Sequence, residues 1–312
     1  MKITNSTIGA KSLSETRNPF IFNPFRFVVA PIRGVFAGGT SSNVMDFVEI
    51  DTTSNATDFG DLTVSRGTLG GVNSDVRGVF AGGNSDSNVM DYITILTTGN
   101  ATDFGDLTLG RIGVAGVNSD VRGVYGSGQS SGTNTNVMDY ITIATTGNAT
   151  DFGDITDSRR FLGGVSSAVR GVFAGGYAPG FSNVMDYITI ATTGNATDFG
   201  DLTLARYFLT GVSDSTRGVF AGGYASGENS SNVMDYITID TTSNATDFGD
   251  LTAGKQASGG ANSVVRGVFA GGAISSVDTN SIDFITILTT GNATDFGDLT
   301  VARTQLTGVN GS

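Results

Sequence analysis

The sequence predicts an all-β fold, a six-bladed propeller of four-stranded blades, closed into a ring by its C-terminal strand. Three observations carry this reading. First, a phrase of the type Arg217-Gly-Val-Phe-Ala-Gly-Gly223, followed by Asn232-Val-Met-Asp-Tyr-Ile-Thr-Ile239 and Thr246-Asp-Phe-Gly-Asp-Leu-Thr252, occurs six times, starting at Arg33, Arg77, Arg122, Arg170, Arg217 and Arg266. Second, each copy reads as four short strands, and four strands per roughly 40–50 residues is the signature of a propeller blade. Third, the periods of 44, 45, 48, 47 and 49 differ only in the loop after the Gly-Gly pair, which holds 3, 4, 7, 6, 8 and 7 residues, so a constant 41 remain. By that rule a seventh arginine would fall two residues beyond Ser312, and Arg33 stands in for it. The last strand, about residues 305–310, should therefore complete the first blade, removing an open sheet edge.

Taken in order, residues 1–32 lie outside the repeat and read as an extended arm. They run from polar residues into Asn18-Pro-Phe-Ile-Phe-Asn-Pro-Phe-Arg-Phe27, where regularly spaced prolines disfavour helix. Phe20, Phe22, Phe25 and Phe27, with Arg26 among them, need a surface to cover, either the chain's own domain or a partner's. In each repeat, Gly-Val-Phe-Ala-Gly-Gly is a strand ending in a turn or a close backbone approach. The next strand alternates with period two: Val89, Asp91, Ile93 and Ile95 face one way, Met90, Tyr92 and Thr94 the other. A Thr-Thr-Gly-Asn turn leads to Thr102-Asp-Phe-Gly-Asp-Leu-Thr108, and a small-residue strand such as Leu209–Ser215 leads into the next copy. The glycine-rich strands suit the crowded axis, and the bulkier, more polar ones suit the rim.

Composition narrows the function. Zero cysteine removes thiolate nucleophiles and thiolate metal sites, and zero histidine removes the commonest general base and transition-metal ligand. The formal net charge of −12 argues against nucleic acid as a partner. No apolar run approaches the roughly 20 residues of a membrane-spanning helix, so no membrane insertion is expected, and the N-terminus lacks a signal peptide's apolar core. The six Asn-Ala-Thr triplets, at Asn55, Asn100, Asn148, Asn195, Asn244 and Asn292, match a glycosylation sequon but read as turns. The six Asp-Phe-Gly triplets lack every companion motif of a kinase.

The charges follow the repeat. Twelve of the 17 cations occupy the Arg33-type and Arg66-type positions, and 18 of the 29 acids occupy the Asp46-, Asp58- and Asp61-type positions. Asp91 shares a strand face with three aliphatics, so it should be buried and paired. We expect one structural ion pair per blade, linking its strands with bidentate geometry. The candidates are Asp46, Asp91, Asp139, Asp186, Asp235 and Asp283, with Arg66, Arg111, Arg159, Arg206, Lys255 and Arg303. The spacing Asp58-Phe-Gly-Asp61 lacks the dense oxygen ligands of a calcium loop, and neither a metal nor a cofactor is expected. The variable loops emerge on one face of a rigid ring, where recognition usually resides. Tyr177, Phe181, Tyr224, Glu228 and Asn229 are the candidate binding residues there.

The order Gly-Val-Phe-Ala-Gly-Gly, variable loop, Asn-Val-Met-Asp-Tyr, then Asp-Leu-Thr-x-x-Arg resembles a kelch-type propeller repeat over residues 33–312. The match includes an aromatic at Phe47, Tyr92, Tyr140, Tyr187, Tyr236 and Phe284. The kelch tryptophan is missing, with Phe59 and its equivalents in its place. The wording also resembles kelch-like proteins of bacteriophages, marine ones especially, which implies a virion structural or tail-associated protein. The expected function is therefore non-enzymatic: a propeller displayed on the particle as capsid decoration or tail component. Residues 1–32 would anchor it to other virion proteins, and the loops would contact a host-surface glycan or receptor. It would be located in the virion after synthesis in the host cytoplasm. The competing expectation is a soluble, lectin-like carbohydrate-binding propeller with sites repeated around the ring. A glycosidase would need a positioned carboxylate pair, and none stands out from the six-fold pattern.

Overall fold

The computed structural model describes residues 31–312, and Phe20, Phe22, Phe25, Arg26 and Phe27 of the arm lie outside the described residues. Each repeat gives three strands to one four-stranded antiparallel sheet and its last strand to the next, and six such sheets stand around a central axis. In the second blade the strands run from axis to rim as Gly70–Asn73, Arg77–Ala81, Val89–Thr94 and Thr102–Asp106. The first blade is assembled from both ends of this unit: Thr307–Gly311 is its innermost strand, pairing with Arg33–Ala37 so that Val35 faces Val309. The closing strand thus starts slightly later than the sequence implied, because Gln305 is taken up in a left-handed turn with φ of 64°. Ile32, assigned to the arm from sequence, belongs to the propeller: its carbonyl accepts a hydrogen bond from Ile50 N at 2.9 Å, and its side chain packs between the sixth and first blades.

Period-two alternation makes both faces of a blade apolar, so the core is a set of layers between neighbouring blades. Between the first and second blades, Val35, Ala37, Met45 and Phe59 meet Phe80, Ile93 and Ile95, with Leu62 and Leu69 contributed by the crossover. The sixth and first blades close the ring in the same way, Val268, Ala270 and Ile282 against Phe36, Val48 and Ile50. Each fully buried side chain of this size contributes roughly 1.5–3 kcal/mol.

The Asp-Phe-Gly triplet is explained by a β-bulge in the rim strand. Opposite Met90 and Asp91 stand Gly105 and Asp103, so Phe104 has no partner in the ladder and turns inward. There it is buried and packs edge-on to Tyr92, the ring centroids 6.1 Å apart. The Asn-Ala-Thr turns lock each rim to its neighbour. The Asn100 side-chain oxygen accepts from Asp61 N at 3.0 Å, and the equivalent bond recurs at every blade, ending with Asn55 and Asp298.

The axis is built from three closed rings. Gly71, Gly116, Gly164, Gly211, Gly260 and Gly308 face one another so closely that a Cβ on any of them would come within 3.0 Å of a neighbouring blade's glycine carbonyl. Toward one mouth, the backbone N–H groups of Asn73, Asn118, Ser166, Ser213, Asn262 and Asn310 each donate to the side chain of the next member, and Asn310 returns to Asn73. Toward the other mouth, backbone bonds run from Thr68 to Gln305, Ala257, Phe208, Phe161, Gly113 and back to Thr68, at 2.8–2.9 Å. All six residues of this last ring have positive φ, between 55° and 71°, although only one of them is glycine. That conformation costs a non-glycine residue about 1–2 kcal/mol, which the closed circle of hydrogen bonds offsets. An axial cavity of about 120 Å³ lies behind this mouth, and the opposite, wider mouth opens on about 440 Å³.

Deleting residues 304–312 removes the innermost strand of the first blade and one member of each axial ring. Calorimetry should then show loss of the cooperative melting transition; a transition unchanged in temperature and enthalpy would disprove the closure.

Candidate functional site

The repeated charges form six buried pairs. Arg66 meets Asp91 and Arg111 meets Asp139, each at 2.7 Å; Arg206 meets Asp235 at 2.8 Å; Lys255 meets Asp283 and Arg303 meets Asp46, each at 2.9 Å; and Arg159 meets Asp186. Two details differ from the sequence expectation. The cation is not on one of the four main strands of the blade it pairs with. It sits on the crossover arriving from the preceding repeat, so the pair joins one blade to the next. The contact is also not bidentate: one carboxylate oxygen takes the guanidinium, and the other accepts from the hydroxyl of Thr63 or its equivalents Thr108, Thr156, Thr203, Thr252 and Thr300. In four of the five arginines the guanidinium also reaches backbone carbonyls, as from Arg111 to Val137 O at 2.9 Å and Tyr125 O at 3.2 Å, whereas that of Arg159 bonds only to Asp186.

Burial sets the electrostatics of these pairs. Desolvation pushes the guanidinium pKa down at Arg66, Arg111, Arg159, Arg206 and Arg303, and the facing aspartate opposes it. Desolvation likewise pushes Asp139, Asp186 and Asp235 up, against the pull of their arginines. A raised carboxyl pKa favours the folded state at low pH, and that contribution is lost as pH rises through the folded-state pKa. Near neutrality these three pairs therefore position their crossovers rather than supply net stability. The Arg33-type cations are spent as well. Arg77 lies 4.3 Å over the Tyr92 ring and donates to Ile143 O of the next blade at 3.1 Å, and the arrangement repeats through Arg266, which reaches Ile50 O.

The variable-loop face departs from six-fold regularity. In the fourth blade Tyr177–Ala178 pairs with Gly180–Phe181 in a small hairpin, and in the fifth Tyr224–Ala225 pairs with Arg206–Tyr207. This brings the candidates Tyr177, Phe181 and Tyr224 together around Tyr207, half-buried rather than singly exposed. Phe181, Tyr207 and Tyr224 are near-parallel, with centroids 5.6, 5.2 and 5.8 Å apart. Three similar separations cannot come from a column of rings, so the three are tiled. Tyr177 meets Tyr207 edge-on at 5.3 Å, and Phe161 stacks on Phe208 at 4.0 Å where the patch reaches the axial mouth. Burial and the neighbouring Tyr224 and Tyr177 push the Tyr207 phenol pKa up, with Arg160 opposing. Glu228 and Asn229 are exposed at the tip of their own loop, where Glu228 is tied to Ala225 through backbone bonds. The third blade adds a tall hairpin, Arg122–Ser130 with Thr133–Thr142, whose Asn134 amide donates to Tyr177 O at 2.9 Å.

Arg160, Phe161, Tyr207 and Phe208 are the members of this patch that reasoning on loops alone missed. A signal was present. At the two positions after the crossover cation, the other four copies read Gly67-Thr68, Ile112-Gly113, Gln256-Ala257 and Thr304-Gln305, and only two adjacent copies carry aromatics. Among the described residues no cluster of three or more acidic, cysteine or histidine side chains is placed to hold a metal ion. No family model matches the chain, and no curated protein matches it in sequence.

Asp186→Ala strands the buried Arg159 and should cost roughly 3–5 kcal/mol in urea denaturation; a loss below about 1 kcal/mol would refute burial of the pair. The joint into the sixth blade is chemically the odd one, because Lys255 reaches only Ser281 and Asp283. Converting it to the common form with Lys255→Arg and Ser281→Val should raise stability by about 0.5–2 kcal/mol in the same assay; a destabilised double variant would show the joint to be locally adapted instead.

Proposed function

We propose that this chain is a non-enzymatic display protein of a bacteriophage particle, a kelch-like propeller carried on the capsid or tail. One observation carries the non-enzymatic part. Both repeated cation positions and the repeated Asp46-type carboxylate are consumed in joining blades, leaving chemical variety to a single face. A rigid ring with one varied face is a scaffold for recognition. The phage assignment is supported by the wording of the repeat itself, Arg217–Gly223 with Asn232–Ile239, and by the phenylalanine-rich stretch 20–27, which offers an attachment segment for another virion protein. The competing lectin reading called for sites repeated around the ring. The gathering of aromatics at two adjacent blades favours a single off-axis site instead.

The experiment is quantitative mass spectrometry of density-gradient-purified particles from infected cells. The chain should be present at a fixed copy number relative to the major capsid protein. If it is abundant in the lysate but absent from purified particles, the display reading is wrong.

A further inference from the structure

We infer that the aromatic patch of the fourth and fifth blades is a single binding site for a carboxylate-bearing carbohydrate, with Arg160 taking the carboxylate. The inference rests on the loop face being the recognition surface, and four observations lead to the ligand class.

The first is the position of Arg160. Of the 13 cations in residues 31–312, twelve hold the two repeat positions described above. Arg160 is the remaining one, and it stands at the edge of the aromatic patch. Its guanidinium carbon lies 5.1 Å from the Phe161 ring centroid and 5.0 Å from that of Tyr177. The second is its unspent capacity. A guanidinium has five N–H donors. Among the described residues, Arg160's side chain makes one hydrogen bond, from Nη1 to Asn134 Oδ1 at 3.3 Å, and its Nε has no acceptor. A planar fork with open donors matches a carboxylate better than an isolated hydroxyl.

The third observation is the shape and chemistry of the patch. Tiled, near-parallel rings present faces rather than a deep pocket, and three of the six aromatics are tyrosines, each with a phenol beside its apolar ring. A sugar is built the same way, with an apolar C–H face and a polar hydroxyl edge, so ring faces and phenols can engage both at once. The fourth decides between a sugar and an extended peptide. A peptide would be captured by adding a strand to an open edge. Here Arg160 and Tyr177 exchange backbone bonds at 3.1 and 2.8 Å, Arg206–Tyr207 is paired with Tyr224–Ala225, and the remaining edge, Gly180–Phe181, is only two residues long, too short to template a strand. The site is also rigid at its inner end, where Phe161 and Phe208 are locked in left-handed conformations within the axial ring.

The test uses the full chain in isothermal titration with uronic-acid and sialic-acid oligosaccharides, their carboxyl-reduced counterparts, and peptides with free C-terminal carboxylates. An acidic oligosaccharide should bind at one per chain. Carboxyl reduction should weaken it at least tenfold, and so should Tyr207→Ala. Arg160→Gln should lower affinity for the acidic sugar while leaving that for the reduced one unchanged. Tyr224→Ala provides a second variant should Tyr207→Ala fail to fold. Val277→Ala, exposed on the sixth blade's hairpin, should bind as the parent does. Absence of glycan binding, a stoichiometry of six, indifference to Arg160→Gln, or binding of the peptides alone would each overturn the inference. Particle association measured by mass spectrometry is independent of this outcome, so failure here and failure of the display reading are separable.

Discussion

The structure depends on a cation carried by each crossover into the interior of the next blade. A chain leaving one rim must return to the axis beneath the loop face, and the crossover that makes this journey is held by a buried guanidinium or ammonium. That group is placed on an aspartate, which is itself held by a threonine hydroxyl at the start of the same crossover. At Arg159 and Asp186, burial pushes the pKa values of both partners toward their neutral forms, as expected when desolvation exceeds the mutual attraction. The arrangement persists because it is directional: the carboxylate accepts from the cation on one oxygen and from the threonine on the other, and that geometry sets the angle between blades. Hydrophobic layers between blades supply the adhesion, but they would tolerate sliding.

This division of labour explains what could be read from the sequence. Blade number, ring closure, burial of Asp91 and its equivalents, and their pairing with the Arg66-type cations all follow from periodicity and alternation. Which copy pairs with which does not. Asp46 and Asp91 lie at comparable distances along the chain from Arg66, on either side of it, so a periodic sequence is ambiguous between pairing within a repeat and pairing across two. Only the path of the crossover resolves it. The bulge at Phe104 was equally hidden, because an extra residue in a rim strand leaves the repeat length unchanged.

The recognition face was half legible for a related reason. Tyr177, Phe181 and Tyr224 were visible as aromatics in variable loops. Tyr207 and Phe208 precede the innermost strand, in a stretch that reads as connector in every copy. Their partnership with the loops comes from the propeller's geometry, which stacks the loop of one repeat over the crossover that enters its own blade. The axial ring of left-handed residues adds a constraint that no local rule anticipates: a backbone position suited to glycine is filled by threonine, phenylalanine, alanine or glutamine in five copies of six.

The two-ended first blade also sets a timetable. Arg303 reaches the carbonyl of Phe36 across 267 residues of chain, and the strand beside Phe36 arrives later still. Until then, the strand Arg33–Ala37 lacks its innermost partner and has one unpaired ladder of backbone groups along an apolar strand. Contacts this distant in sequence form slowly, and an uncovered edge during that interval invites pairing with another molecule. The yield of native ring should therefore depend on how quickly Thr307–Gly311 is made and docks relative to encounters between nascent chains, a kinetic liability that the closed ring no longer carries.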